Sequence, residues 1–250
     1  MKPTRSSQAG VTLIEVLIAI TLLSVLSVAM LFSLRVGLQA LHKTDEKLLA
    51  NRRVAGAQRI LLQELEGLVP VMPLCAARPD SAGTPFVFFQ AEPEAMRLVS
   101  TFSLQQGWRG PAEILELFVI PGEEGQGVRL VVNETPYSQF AAGSACTQMV
   151  PDRFVGTVAQ FTPVVATPKS FVLADQLAYC RFSYLIVPPE TMNQPAAPMQ
   201  WRTNASGTGW PAAIRVEMAP LETDPSRLQP ITVTAPIRIH RSWKVKYDDY

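Results

Sequence analysis

Proline is almost absent from the first quarter of the chain, and this distribution constrains the fold more than any other feature. Of the 21 prolines in the 250 residues, only Pro3 precedes Pro70. A proline costs about 3 kcal/mol in a helix interior because it lacks the amide hydrogen and clashes with the preceding turn. Residues 11–69 can therefore form one continuous helix, whereas the rest of the chain must be built from shorter elements.

The first part of this predicted helix is apolar. Val11 to Leu34 contains one charged residue, Glu15. A helix of this length rises about 36 Å, which is enough to cross a bilayer core of about 30 Å. We therefore expect residues 11–34 to span a membrane. Lys2 and Arg5 precede this segment and predict a cytoplasmic N-terminus, with the bulk of the chain exported.

Glu15 is the residue in this segment that needs an explanation. An ionised carboxylate at bilayer depth costs on the order of 3 kcal/mol, so it indicates a function and requires a partner. The α-amine of Val11 would supply one if the preceding leader were removed, because the two groups lie four residues apart on one helix face. Glu15 also lies in the first helical turn, where the macrodipole favours negative charge.

Beyond the apolar segment, the pattern predicts an amphipathic helix over residues 35–69. Apolar residues recur at spacings of three, four and seven, and charged residues occupy much of the remaining surface. The simplest interpretation is that the apolar face beyond about Ala50 forms the core of its own domain. The residues of this stripe are Leu34, Leu38, Leu41, Leu48, Ala55, Leu62 and Leu65.

From Pro70 onward, short β-rich runs alternate with turn-forming residues, which predicts a helix packed on an antiparallel sheet in an α+β fold. Segments 136–170 and 188–211 contain many turn formers and are predicted to be loops or extensions. The predicted strands are Phe86 to Gln90, Arg97 to Phe102, Glu113 to Ile120, Val128 to Asn133, Leu177 to Val187, Ala213 to Met218, Ile231 to Ile239 and Trp243 to Tyr247.

The segment GVTLIEVLIA at residues 10–19 resembles the processing motif of type IV prepilins and type II secretion pseudopilins. The resemblance implies that a prepilin peptidase/methyltransferase cleaves between Gly10 and Val11 and methylates the new amine of Val11. It also implies that Glu15 is the assembly acid, which pairs with the N-terminal cation of a neighbouring subunit. Val11 departs from the usual Phe or Met, but the methylated group is the backbone amine.

The resemblance also divides the chain. It implies a cleaved leader at 1–10, a transmembrane helix at 11–34, an amphipathic helical extension at 35–69, and a β-rich, pilin-like periplasmic head at 70–250. A signal peptide is the alternative for the leader and apolar run, but its apolar region is normally 7 to 15 residues long and has no acid at its front. An uncleaved signal anchor that carries a periplasmic enzyme is a second alternative.

The C-terminal half carries a second resemblance. The strand LAYCRFSYLIV at Leu177 to Val187, then Trp201, then WPAAIRV at Trp210 to Val216 are similar to the J-type minor pseudopilins of type II secretion systems. Trp210 stands where that family usually has Leu. Minor pilins of the W type, which prime type IV pilus assembly, have a similar outline and remain the alternative.

The J-type resemblance implies a non-catalytic subunit at or near the tip of a short fibre that assists the export of folded proteins. Its partners would be the I-type and K-type minor pseudopilins and membrane lipid. It would be a single-pass protein of the bacterial inner membrane. The net charge of +1 provides no basic field for nucleic acid.

No enzymatic motif or cofactor motif accompanies these features. His42 and His240 lie outside any metal-binding or nucleophile motif, so we interpret both as surface or structural residues. The sequence therefore predicts no catalytic, cofactor-binding or metal-ligating residues.

Two acidic pairs are interpreted as solvated turns or ends. Glu123 and Glu124 lie in PGEEGQG, which reads as a hairpin turn, and Asp248 and Asp249 lie near the C-terminus. A calcium site is the alternative, although no EF-hand spacing is present.

The three cysteines allow at most one intrachain disulfide, in a compartment that permits one. Cys180 falls within an apolar strand and is predicted to be a buried thiol. Cys75 and Cys146 are therefore the favoured pair.

Overall fold

The computed structural model describes residues 12–75, 83–104, 106–152, 156–187, 198–207, 209–221 and 230–238; the side chains of residues 40–55 are outside this description. The chain divides into two compact units, Met1–Asn51 and Arg52–Tyr250. The first unit is helical throughout residues 13–51, and the second contains the end of the same helix together with a β-rich head.

Helix α1 covers Leu13–Glu66, so the long helix predicted from the absence of proline is present. It ends three residues before the predicted limit of Val69. The amide of Gly67 still donates to the carbonyl of Gln63 at 3.1 Å, but the amide of Val69 donates to the carbonyl of Val99 at 2.8 Å. The chain thus leaves the helix by pairing with the sheet.

The head contains a short helix, α2 (Gln139–Ser144), and a set of mostly antiparallel strands. In chain order the strands among the described residues are β1 (Leu74–Cys75), β2 (Thr84–Pro85), β3 (Gln90–Ala91), β4 (Ala95–Ser103), β5 (Trp108–Pro121), β6 (Val128–Pro136), β7 (Cys146–Asp152), β8 (Gly156–Phe161), β9 (Phe171–Ile186), β10 (Gln200–Arg202), β11 (Ala213–Pro220) and β12 (Ile231–Pro236).

The main sheet has the order β12-β11-β9-β6-β5-β4-β3, and β10 is paired to β9 as well. Each of these pairs is antiparallel, which confirms the predicted α+β fold. Strand β9 connects the two halves of the sheet: β11 pairs along residues 177–185, while β6 and β10 pair with its two ends. Two further pairs, β1 with β2 and β7 with β8, form small separate ladders.

The main core lies between the end of α1 and one face of the sheet. Leu61, Leu65 and Leu68 are fully or almost fully buried. They belong to one cluster with side chains from β4, β5, β6, β9, β11 and β12. Leu62 is only partly buried at the edge of this cluster. The end of α1 thus packs on the sheet through an apolar face, but the predicted stripe is only partly right. Leu65 belongs to it and is buried, whereas Leu61 and Leu68 were not included in it and the side chain of Ala55 lies outside the described residues. Sheet residues of the cluster include Met96, Leu98, Leu115, Leu117, Leu130, Val132, Phe182, Tyr184, Ile214, Val216 and Val233.

A smaller core covers part of the opposite face of the sheet. Val99 and Ile114 point away from the helix, because neighbouring residues of a strand alternate between its faces. They pack with α2, the β7–β8 hairpin and two phenylalanines, Phe86 and Phe88. The disulfide between Cys75 and Cys146 lies in this cluster and joins β1 to the start of β7.

The predicted strand Phe86 to Gln90 is wrong over most of its length. Only Gln90–Ala91 is a strand, while the amides of Phe86 and Phe88 donate to carbonyls of residues 73 and 71. The facing segment PVMP at 70–73 contains two prolines, which cannot donate backbone hydrogen bonds. A regular ladder therefore cannot form there.

The prediction of a loop over 136–170 is also wrong, because this segment contains α2, β7 and β8. Ser138 begins α2 by accepting a hydrogen bond from the amide of Ala141 at 3.0 Å, as a helix N-cap does. The predicted loop 188–211 contains β10, whereas 188–197 lies outside the described residues. The predicted strand Trp243 to Tyr247 also lies outside them.

Candidate functional site

The described part of the N-terminal segment begins as a regular helix. The carbonyl of Thr12 accepts from the amides of Glu15 at 3.1 Å and Val16 at 3.3 Å. Glu15 lies in the first turn of α1, where unpaired amide groups and the macrodipole favour a negative charge. Its side chain is exposed, and no cation among the described residues pairs with it. The candidate partner from the sequence analysis, the amine of Val11, lies outside the described residues.

Three hydroxyl groups of the apolar segment are satisfied within the helix. Thr21 Oγ1 donates to the carbonyl of Ile18, and Ser24 and Ser27 donate to carbonyls four residues earlier, each at 2.8 Å. These bonds hide polar atoms that would otherwise be costly in an apolar medium. Glu15 is the one charged residue in the sequence from Val11 to Leu34.

Leu13–Gln39 is long and apolar enough to cross a membrane, with a mean hydropathy of 2.5 and no buried residue in its most apolar window. The large apolar side chains from Leu13 to Leu38 are 46% to 84% exposed. A continuous exposed surface of this size marks a site of interaction with lipid or protein. The helix is thus compatible with membrane anchoring.

The head offers a different arrangement around Glu64, which sequence reasoning missed. Glu64 lies on α1, is 1% exposed, and neither carboxylate oxygen has a hydrogen-bond partner among the described residues. Burial, and next the nearby carboxylates of Glu134 and Glu113, raises its pKa to about 9. Glu64 is therefore protonated and neutral at pH 7, which is how a carboxyl group is tolerated in an apolar core.

Glu113, one of these neighbouring acids, also has a raised pKa. Burial and the charge of Glu134 raise the pKa of Glu113, and a hydrogen bond from Ser103 opposes the rise. Glu134 is held by the amide of Leu104 and by Ser103 Oγ. The signal in the sequence was the position of Glu64, three residues after Leu61 and next to Leu65, which places it on the same helix face as these two leucines.

A buried ion pair lies on the face of the sheet opposite the main core. Arg97 is 1% exposed, and its Nη2 lies 2.7 Å from Glu116 Oε1 and donates to the carbonyl of Thr162 at 3.1 Å. Its guanidinium also lies 5.3 Å from the centre of the Phe161 ring. The second oxygen of Glu116 accepts from Asn133 at 2.9 Å. Because both charges are hydrogen-bonded, this is a structural network that holds the segment after β8 against the sheet.

The other candidate residues of the head are structural. Glu123 and Glu124 lie in an exposed turn between β5 and β6, as predicted, and Glu123 pairs with Arg129 at 2.6 Å. Arg129 also forms two hydrogen bonds of 2.7 Å to Asp175, which lower the pKa of that carboxyl. Within the described ranges, no group of three His, Cys, Asp or Glu side chains is arranged to hold a metal ion.

Cys75 and Cys146 are joined by a disulfide with a Cα–Cα distance of 5.4 Å, and Cys180 is a free, buried thiol. Burial and the charge of Glu94 raise the pKa of Cys180 to about 12, so its thiol is unreactive at neutral pH. Several residues from the sequence analysis lie outside the described part of the structure: Gly10, Val11, His240, Asp248, Asp249 and the side chain of His42.

Comparison with known families identifies the N-terminal segment. Residues 5–31 match the prokaryotic N-terminal methylation motif. The motif supports a type IV pilin-like protein, either a pilin or a pseudopilin. Neither the curated proteins nor the solved structures give a match to the chain.

The matched residues include the candidate cleavage position and the start of α1. The motif implies processing by a prepilin peptidase and assembly with other pilin-like proteins. Its family consists in general of non-enzymatic structural components. The match covers residues 5–31 and does not extend into the head.

Proposed function

We propose that this pilin-like protein is a J-type minor pseudopilin of a type II secretion system, at or near the tip of the pseudopilus that assists export of folded proteins. The observation that carries the proposal is the N-terminal methylation motif on an exposed apolar helix, followed by a β-rich head of its own. Such a subunit acts by binding its neighbours and catalyses no reaction.

Processing and assembly are assigned to three residues. The prepilin peptidase cleaves between Gly10 and Val11, and the methylated Val11 amine begins the mature chain. Glu15, which has no partner among the described residues, then pairs with the N-terminal cation of an adjacent subunit. The corresponding regions are the leader 1–10, the transmembrane helix 11–34, the helical extension 35–69 and the periplasmic head 70–250.

The proposed location is the inner membrane, with the N-terminus in the cytoplasm and the head in the periplasm. The Cys75–Cys146 disulfide supports this location because disulfides persist in oxidising compartments such as the periplasm. Lys2 and Arg5 before the apolar helix support the same orientation.

The J-type assignment is supported by the arrangement of the C-terminal strands. Trp201 of β10 and Ala213 of β11 both lie opposite Leu185 of β9, on its two edges. The three segments that carry the J-type resemblance thus form one contiguous piece of sheet. Its partners would be the I-type and K-type minor pseudopilins. The alternative is a W-like minor pilin that primes type IV pilus assembly, since its helix would carry the same motif.

Deletion of the gene tests the assignment by separating the two systems. We expect the deletion to abolish secretion of folded proteins to the medium while surface pili remain. Complementation with the parent gene should restore secretion, and complementation with Gly10→Val should not, because a β-branched side chain crowds the scissile bond. Mass spectrometry of the N-terminal peptide checks maturation at Val11. Loss of pili with normal secretion would favour the W-like alternative.

A further inference from the structure

The face of the sheet opposite the main core carries polar side chains where β9, β11 and β12 lie side by side. Among them, Arg181 and Thr234 are exposed, and Ser183 and Arg215 are partly exposed. The register places Arg215 of β11 directly beside Ser183 of β9 and Thr234 of β12. Paired residues of an antiparallel sheet point to the same face. We call this set, together with Trp201 of β10, the Arg215 surface.

Arg215 is held in place by an aromatic ring, and the described residues offer no acceptor for its hydrogen bonds. Its guanidinium carbon lies 3.9 Å from the centre of the Trp201 ring, which is stacking distance. Its Nε is buried without a hydrogen-bond partner, and no ion pair or hydrogen bond engages its terminal nitrogens within the described residues. The terminal nitrogens of this partly exposed side chain are therefore the donors that an acceptor from another molecule can reach.

The charges around Arg215 define the kind of partner. Glu217 lies two residues along β11 and directly opposite Arg181 of β9, so these two charges are neighbours at one end of the surface. Beside Arg215 itself, the register places the hydroxyl-bearing Ser183 and Thr234 and no carboxylate. The local charge at the Trp201 end is therefore positive.

We propose that the Arg215 surface binds an Asp- or Glu-bearing segment of a partner protein. A carboxylate accepts two hydrogen bonds from a guanidinium, and the hydroxyls of Ser183 and Thr234 lie where they can donate to it as well. The stack on Trp201 fixes Arg215 before binding, which reduces the entropy lost on association. Arg and Trp are also the residues that most often dominate interface energetics. The proposal concerns the head alone. It holds whether the protein joins a pseudopilus or a type IV pilus.

A peptide-binding measurement on the full chain in uncharged detergent micelles tests this surface. The probe is a fluorescent Gly/Ser peptide with four glutamates, and the same peptide with four glutamines is its control. We expect the glutamate peptide alone to bind, with anisotropy changes that weaken as salt is added. Arg215→Gln should raise the dissociation constant at least about tenfold, since it removes a charge-assisted hydrogen-bond pair.

Matched variants separate this surface from general attraction to positive charge. Arg129→Gln removes an arginine already bonded to Asp175 and should change the dissociation constant by less than about twofold. Arg215→Lys keeps the charge without the planar fork and should weaken binding by an intermediate factor. If Arg215→Gln fails to fold, Arg215→Lys tests the role of the guanidinium in its place.

Three results would overturn the proposal. The first is no binding at millimolar peptide, and the second is equal weakening by Arg215→Gln and Arg129→Gln. The third is tighter peptide binding in Asp248→Asn/Asp249→Asn, because the chain's own acidic end would then be the occupant.

Discussion

Gly67 lies where the helix leaves the core of the head, and the space beside it is too small for a side chain. A Cβ built on Gly67 would lie 2.5 Å from Ser100 Oγ. Ser100 is completely buried, donates to the carbonyl of Glu64 at 2.9 Å, and accepts from the amide of Phe102 at 3.1 Å. The close approach of α1 and β4 thus depends on Gly67, which has no side chain, and on the hydroxyl of Ser100.

We expect Gly67→Ala to lower the free energy of unfolding by about 1–3 kcal/mol, because the methyl group must displace a buried hydroxyl from its hydrogen bonds. In a Ser100→Ala background the same substitution should cost much less, and a double-mutant cycle by urea denaturation measures the difference. Gly56→Ala is the matched control, since nothing lies within 4 Å of its Cβ position. It should stabilise the helix by up to about 1 kcal/mol. If the losses in unfolding free energy of Gly67→Ala and Ser100→Ala simply add in the double variant, this explanation is wrong.

Glu64 gives the stability of the head a defined pH dependence. The folded state keeps the proton on Glu64 up to a pKa of about 9, whereas the unfolded chain releases it near 4.5. The stability that this raised pKa provides is complete below pH 4.5 and is lost as the pH rises through 9. The parent's free energy of unfolding should therefore fall by up to about 1.4 kcal/mol per pH unit across this window.

Glu64→Gln removes this titration and keeps the shape of the side chain. We expect the variant to match the parent at pH 5 and to exceed it in free energy of unfolding by more than about 1 kcal/mol at pH 8.5. Urea denaturation at the two pH values provides the measurement. A constant difference between parent and variant across the range would show that Glu64 is ionised in the folded state.

Among the elements, the β7–β8 hairpin depends most on tertiary contacts. Its strands lie on the smaller core, its first residue is Cys146, and the following segment is held by Arg97. The disulfide closes a loop with a sequence separation of 71. In the loop-entropy description, a bridge of this length stabilises the folded state by up to about 4 kcal/mol.

Alkylation counts test the cysteine arrangement. In protein that is denatured without reduction, we expect one alkylatable thiol, that of Cys180. In folded protein at pH 8 we expect none, because burial raises the pKa of Cys180 to about 12. Cys75→Ser/Cys146→Ser should lower the free energy of unfolding by up to about 4 kcal/mol. Three reactive thiols in the denatured, unreduced parent would exclude the bridge.

The elements that sequence reasoning predicted are those with a strong local pattern. Strands β4, β5, β6 and β11 contain buried apolar residues at regular spacing, and all were predicted within a few residues of their limits. Strand β9 was predicted from Leu177 but begins at Phe171. Asp175 and Gln176 resemble a turn in the sequence; Gln176 has a φ of 53°, and the register with β6 shifts nearby. A local irregularity inside a strand cannot be distinguished from a strand end without its partner.

The hairpin and the Arg215 surface were missed for another reason. Segment 136–170 contains many turn-forming residues. It is ordered by a disulfide and a buried ion pair, both of which join residues far apart in sequence. Arg215 was noticed only as part of a family-like strand, since the stack on Trp201 arises from the pairing of β10 and β11 with the same neighbour.

At the scale of the whole molecule, the proposed role of Glu15 predicts that membrane insertion and assembly can be separated. We expect Glu15→Leu to leave insertion intact, because it removes a carboxylate that is costly in lipid, and to reduce incorporation into the fibre by at least about tenfold. Ser24→Ala is the matched control, since the Ser24 hydroxyl bonds within its own helix. Membrane fractionation and fibre purification at equal expression give the two readouts. Normal incorporation of Glu15→Leu would remove Glu15 from the assembly mechanism.

The way in which the chain leaves the end of α1 also determines how the head resists a pulling force. Beyond the helix end, the amide of Val69 and the carbonyl of Gly67 bond to β4, which lies inside the sheet. A pull along the helix must break these bonds together with the packing of Leu61 and Leu65. A pull on the edge strand β12 can instead break its hydrogen bonds to β11 one after another.

We expect the head to unfold at a higher force when it is stretched between residues 57 and 121 than between 213 and 236. Single-molecule force spectroscopy on cysteine-linked handles compares the two directions, and equal rupture forces would contradict this. In the proposed fibre, a load on the last turns of α1 would pass to β4 through these bonds.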